Sequence, residues 1–127
     1  MLRDKEKVIY PEFSYLLYGL CFKAHNQLGR FCNEKQYGDA LEKLFKLNTI
    51  PYAREKGLEK SFEGEHPRRN IVDFLIDDLI IFELKAKRML TREDYYQMKR
   101  YLVACKKKLG ILVNFRQQSL SPKRVLN

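Results

Sequence analysis

Three residues in the middle of the chain have the types and spacing for metal-assisted chemistry: Asp73, Glu83 and, two positions further on, Lys85. Two carboxylates set side by side repel each other when both are ionised, so such a pair either takes up a proton or shares a cation. Oxygen donors suit a hard ion, Mg²⁺ or Mn²⁺. An ion held there can lower the pKa of a bound water and stabilise charge on a scissile phosphate, while a neighbouring ammonium orients the nucleophile or neutralises oxyanion charge. The same residues also suit a plainer arrangement, a half-exposed hairpin face on which Lys85 balances Asp73 and Glu83 as salt bridges.

Either arrangement depends on a hairpin in the right register. Residues 71–76 and 79–84 are dense in branched and aromatic side chains and are separated by Asp77 and Asp78, which predicts two strands and a turn. A two-residue loop would set Val72 opposite Glu83 and Asp73 opposite Phe82, mixing charge with core. An odd-numbered loop, or a bulge near Asp77 to Leu79, pairs Val72 with Leu84, Phe74 with Phe82 and Ile76 with Ile80, all apolar. The other face then carries Asp73 opposite Glu83 and Ile71 opposite Lys85, gathering charge at one end. Because side chains alternate along a strand, Lys85 shares the face of Glu83.

The remaining elements must hold that hairpin. Leu16, Leu17, Leu20, Cys21, Ala24 and Leu28 recur at helical spacing from Phe13 onward, with Pro11 suited to the first turn and Gly29 to the end. Tyr37, Ala40, Leu41, Leu44 and Phe45 predict a second helix over 34–47, with Asn48 and Pro51 at its exit. Residues 52–62 read as one short, charged edge strand, and 64–70 as a turn-rich stretch. Thr91 with Asp94 three positions on forms a variant capping box for a third helix, buried along Tyr95, Met98, Leu102 and Cys105. Gly110 follows it, 111–115 reads as a strand, and 124–126 adds an edge strand. The order α-α-β-β-β-α-β predicts an α/β fold, a central mixed sheet flanked by helices. A chain of 127 residues, 45% apolar, suits one domain, residues 1–127.

Charge is uneven along the chain. Residues 85–127 carry twelve Lys or Arg against Glu93 and Asp94, while the first 84 residues are nearly balanced. Such a surplus suits a polyanion, since cations set against phosphates release condensed counterions; a solvated basic surface that aids solubility is the ordinary alternative. Cys21, Cys32 and Cys105 are too few and too scattered for a zinc ribbon or disulfide framework and read as reduced core thiols. His25 and His66 have no partner at ligand spacing and read as structural or surface residues. No leader-like start and no apolar run near the roughly 20 residues needed to span a bilayer are found, so a cytoplasmic protein without membrane contact is expected.

Ile71-Val72-Asp73 followed by Glu83-Leu84-Lys85-Ala86 resembles the PD-(D/E)XK nuclease signature. Adding Glu34-Lys35-Gln36-Tyr37 after Leu28-Gly29, Gln97 with Tyr101, and Leu109-Gly110-Ile111-Leu112-Val113-Asn114-Phe115, the chain resembles the GxxExxY family of that superfamily from about residue 10 to 127. The resemblance implies a restriction-endonuclease-like core and a metal-dependent nuclease. It implies metal ligation by Glu34, Asp73, Glu83 and the Leu84 carbonyl, and a catalytic set of Asp73, Glu83, Lys85 and Gln97. The sequence departs from the pattern at Phe31, where glycine is usual, so the turn into the second helix is expected to differ. Val72 replaces the proline of the signature at a position that supplies strand geometry only.

Lys87, Arg88, Arg92, Lys99 and Arg100 follow the signature and are candidate phosphate contacts, with Tyr96 or Tyr101 for base stacking. Tyr37, which closes the family pattern, joins them as a candidate nucleic-acid contact. The expected partner is nucleic acid, DNA before RNA, and a homodimer is allowed. Two other functions use the same features: a nucleic-acid-binding module without turnover, and a protein-interaction subunit whose basic face meets an acidic partner.

Overall fold

The computed structural model describes residues 9–127. Helix α1 (Pro11–Leu28) begins with Pro11, whose fixed φ suits the first turn, and buries Leu17, Leu20, Cys21 and Ala24. Leu16, expected in that stripe, faces solvent. Gly29 ends the helix at φ 78, a backbone that favours glycine, and its N–H returns to the His25 carbonyl at 2.8 Å. Helix α2 (Glu34–Leu47) starts from a reciprocal capping box in which Asn33 and Gln36 each accept the other's main-chain N–H at 2.8 Å. Tyr37, Leu41, Leu44 and Phe45 form its buried face.

Five strands, β1 (Tyr52–Gly57), β2 (Ile71–Ile76), β3 (Ile80–Lys85), β4 (Leu109–Asn114) and β5 (Lys123–Leu126), lie side by side in sequence order. Neighbours are antiparallel except β3 and β4, which run parallel and are connected through helix α3 (Arg92–Cys105). A parallel pair needs such a crossover. The mixed sheet and its helices give the expected restriction-endonuclease-like α/β architecture, with β5 closing one edge. The edge strand β1 is shorter than expected, ending at Gly57.

Helices α1 and α2 cover one face of the sheet, where Phe45 meets Phe74 and Phe82 edge-on at centroid distances of 5.2 and 6.4 Å. Helix α3 covers the other, setting Met98, Tyr101 and Leu102 against Val72, Ile81 and Leu112. Gly110 lets α3 approach closely here, because a Cβ on it would stand 2.3 Å from Met98 Sδ and displace that side chain.

The hairpin has the odd-numbered loop. Phe74 pairs with Phe82, Leu75 with Ile81 and Ile76 with Ile80, leaving Asp77, Asp78 and Leu79 in the turn. Asp77 and Asp78 adopt φ 52 and 56, a region aspartate tolerates better than most residues, and Leu79 N–H closes onto the Ile76 carbonyl at 2.9 Å.

Three expected pairings, Val72 with Leu84, Asp73 with Glu83 and Ile71 with Lys85, are absent from the ladder. The ladder stops at Phe74 and Phe82, and Val72 packs in the α3 layer while Leu84 packs in the α1/α2 layer. Val72 and Phe74 should share a face, so strand alternation breaks at Asp73. On β1, Glu55, between the partners of Phe74 and Val72, has φ 51. The sheet is thus distorted where Asp73 and Glu83 sit.

Candidate active site

Beyond Phe74 and Phe82 the two strands are held by side chains. Asp73 N–H donates to Glu83 Oε2 at 2.6 Å, and Leu84 N–H donates to Asp73 Oδ2 at 2.9 Å. The carboxylates thereby satisfy main-chain donors near the sheet end, which burial would otherwise leave costly. Glu83 is only 4% exposed and Asp73 is half-buried.

Burial, and then the charge of Asp73, push the Glu83 carboxyl up to about 8, against the pull of the Asp73 N–H and Lys85. Burial likewise raises Asp73, with Glu34 adding to it, while the Leu84 N–H, Lys85 and a hydrogen bond with Glu83 oppose the rise. Tyr101 lies beside the pair: burial first, then the charges of Glu83 and Asp73, push its phenol up to about 12. These directions describe two acids held close in a low-dielectric site, sharing fewer than two charges.

Lys85 is aimed from α3. Its Nζ donates to Gln97 Oε1 at 3.3 Å and lies 3.9 Å from Asp94 Oδ1. Asp94 also accepts from Lys87 Nζ at 2.8 and 3.1 Å and from Thr91 N–H at 2.8 Å. Against the upward pull of burial, Lys87 and Thr91 hold Asp94 below its ordinary range. Fully buried Asn114 secures the strand exit: it accepts from Lys87 N–H at 3.1 Å, donates to the Lys87 carbonyl at 2.8 Å, and accepts from Arg116 N–H at 3.2 Å. Sequence reasoning gave Asp94 a capping role and Asn114 none. The contacts of Asn114 to Lys87 arise only once β4 stands beside β3, so the sequence carries no signal for them.

Glu34 reaches the site from the first turn of α2. It lines a cleft of about 450 Å³ with Arg54, Glu55, Ile71, Asp73 and Leu84. Its charge bears on both hairpin carboxyls. The departure at Phe31 leaves this arrangement intact, because Phe31 lies on the surface under the Arg30 guanidinium and the capping box starts two residues later. Among the described residues no three His, Cys, Asp or Glu side chains are gathered closely enough to hold an ion together. The donor set is the close Asp73–Glu83 pair, with Glu34 on the cleft wall. Buried Glu83 and half-buried Asp73, two mutually repelling carboxylates of which Asp73 lines the cleft, suit a hard divalent cation.

The basic and aromatic candidates divide. Arg88, Arg92 and Arg100 are exposed. Lys87 is engaged by Asp94, and Lys99 donates to the Leu126 carbonyl at 2.7 Å and lies over Tyr95. Tyr37 is withdrawn from any nucleic-acid surface: it is fully buried, stacked on Phe115 at 4.5 Å, with its hydroxyl donated to the Gly29 carbonyl. Tyr101 is buried as well and its hydroxyl faces the Ile71 carbonyl at 3.4 Å, so it offers no ring for stacking. Tyr95, expected in the core, is exposed beside Tyr96. Met98, Tyr101 and Leu102 set the buried face of α3, rotating Tyr95 and Tyr96 outward.

No helix among the described residues is long and apolar enough to cross a membrane. Comparison with curated proteins and with solved structures found no match. A family model described as the PD-(D/E)XK nuclease superfamily matches residues 11–125. The match takes in both helices that precede the sheet, the hairpin with Asp73, Glu83 and Lys85, and the crossover through α3, and the chain belongs to the PD-(D/E)XK nuclease superfamily.

Proposed function

We propose that this chain hydrolyses phosphodiester bonds in nucleic acid, DNA in preference to RNA, with a divalent cation, and that it falls in the GxxExxY branch of its superfamily. The observation that carries the reading is the mutually engaged pair of half-buried Asp73 and buried Glu83, with the Lys85 ammonium acting on both carboxyls and held by Gln97. Superfamily membership supports the class of reaction.

Asp73 and Glu83 are the side chains that would hold Mg²⁺ or Mn²⁺, with the Leu84 carbonyl as a further ligand and Glu34 on the cleft wall outside the close pair. When bound, such an ion would supply a Lewis acid and a water of lowered pKa. Lys85, oriented by Gln97, would donate hydrogen bonds to the attacking water or to a non-bridging phosphate oxygen. Arg88, Arg92 and Arg100 would meet flanking phosphates, and Tyr96, exposed on α3 between Arg92 and Arg100, would stack on a base.

The test is cleavage of labelled single- and double-stranded DNA and RNA with Mg²⁺ or Mn²⁺, in parallel with Glu83→Ala and Lys85→Ala. Metal-dependent cleavage that disappears in both variants supports the reading. Cleavage that persists in both sinks the site assignment, and salt-sensitive binding without turnover turns the chain into a binding module.

A further inference from the structure

A second cleft lies between α3 and the segment that follows β1. It encloses about 510 Å³ and is lined by Lys60, Ser61, Lys99, Arg100, Val103 and Ala104. We propose that this cleft is a subsite for one unpaired nucleotide of a single-stranded substrate, continuous with the carboxylate site; it rests on the nuclease reading above.

Its walls are built. On one side Glu65, a buried carboxylate, accepts from Ser61 N–H at 2.7 Å and from Asn70 Nδ2 at 3.1 Å, while Asn70 Nδ2 also reaches Ser61 Oγ at 3.2 Å. Leu58 N–H donates to the Asn70 carbonyl at 2.7 Å, so the segment is pinned at both ends of its loop. Ser61, and Lys60 next to it, are therefore presented by a segment whose backbone and side chains are hydrogen-bonded to one another.

The chemistry of the lining matches a nucleotide. Lys60 and Arg100 are exposed, and among the described residues neither makes an ion pair with a carboxylate. They are available to phosphate. Val103 is 65% exposed, and with Ala104 it gives an apolar floor. The Lys99 ammonium is tied to the Leu126 carbonyl, so Lys99 contributes its stem. Cations beside an apolar floor suit a phosphate and a base face together. A base face is free only in an unpaired strand, whereas a duplex offers mainly its phosphates.

The cleft also points to the reacting groups. Gln97, which holds Lys85, stands three positions before Arg100 on α3, on neighbouring ground of the helix surface. Arg100 and Gln97 thereby set the cleft and the residue that holds Lys85 on the same stretch of α3.

The experiment measures binding of a fluorescein-labelled 12-nucleotide single strand, and of the duplex of the same sequence, by anisotropy. The full chain carrying Glu83→Gln to prevent turnover is compared with the same chain carrying Lys60→Ala or Val103→Asn as well, with folding checked by circular dichroism. The proposal expects Lys60→Ala and Val103→Asn each to weaken single-strand binding about three- to ten-fold, and Val103→Asn to leave duplex binding within about two-fold. Unchanged single-strand affinity in both variants overturns the subsite while leaving the nuclease reading in place. Equal loss for duplex and single strand with Val103→Asn overturns its preference for an unpaired base. Displacement by polyglutamate at equal charge makes the cleft a general anion groove and overturns it too. A parent chain that binds neither nucleic acid removes both this proposal and the function it rests on.

Discussion

Asp73 and Glu83 each engage the other's strand: the main-chain N–H of Asp73 donates to the Glu83 carboxylate, and the Asp73 carboxylate accepts the N–H of Leu84, next to Glu83. The acids that would bind a cation are thus also the fasteners of the hairpin end. Their proximity satisfies the backbone and at the same time sets two like charges together, so stability and function pull in opposite directions as the pair ionises.

Glu83→Gln separates those two effects. The Glu83 carboxyl is raised from 4.5 to about 8 in the folded chain, so its contribution to stability is full below about pH 4.5 and is lost as pH rises through about 8. The amide keeps an acceptor for Asp73 N–H without the charge. In EDTA at pH 9 the variant is expected to melt about 2 to 6 °C above the wild type, the shift that roughly 1 kcal/mol gives a domain of this size. The advantage shrinks toward pH 5. Thermal unfolding across this range checks it, and a variant less stable at every pH would show that the carboxylate serves the fold even when charged.

Divalent metal should reverse the pH trend. Protons and cation compete for the same raised carboxyls, so Mn²⁺ is expected to stabilise the chain more at pH 8.5 than at pH 5.5. At one hundred times its dissociation constant the gain is about 2.7 kcal/mol. Glu83→Ala is expected to lose it. Thermal shifts with and without Mn²⁺ at both pH values provide the measurement, and equal stabilisation of the variant would place the ion elsewhere.

Much of this arrangement is legible in the residues. Phe74 opposite Phe82 and Ile76 opposite Ile80 follow from refusing to bury charge, and that alone selects the odd loop. The failure at Val72 is equally instructive, because pairing rules treat side chains as attached to an unbroken ladder. Here Asp73 and Glu83 use backbone donors themselves, and the strand turns its faces over. Tyr37 belongs to the apolar stripe of its own helix and Tyr101 to the buried face of α3, so the nucleic-acid role that the family pattern suggests for them yields to packing. Asn114 is illegible in advance, since its value lies in contacts to Lys87 and Arg116 that exist only once β4 stands beside β3.

Gly110 offers a test of the packing that places α3. Gly110→Ala sets a methyl group 2.3 Å from Sδ of fully buried Met98, so that side chain must shift within the packed layer. The expected cost is about 1 to 3 kcal/mol, typical of overpacking. Met98→Ala in the same chain should recover part of it, so the double variant is less destabilised than the sum of the singles. Urea unfolding of the four proteins measures this, and additive losses would show that the two residues do not meet.

The last prediction concerns how Gln97 acts. Its amide oxygen accepts from Lys85 Nζ, so its influence on hydrolysis should pass through that ammonium. Lys85→Ala is expected to lower kcat about 100- to 10,000-fold, the range for removing a group that stabilises transition-state charge or moves a proton. Lys85→Arg should recover little, because a planar guanidinium cannot present its donors as an ammonium does. Gln97→Ala, which frees Lys85 without removing it, should cost about ten-fold, on the order of the 1.4 kcal/mol that one net hydrogen bond is worth. If Gln97 serves only to orient Lys85, adding Gln97→Ala to Lys85→Ala changes nothing further. A further ten-fold fall in the double variant would mean that Gln97 touches the phosphate on its own account.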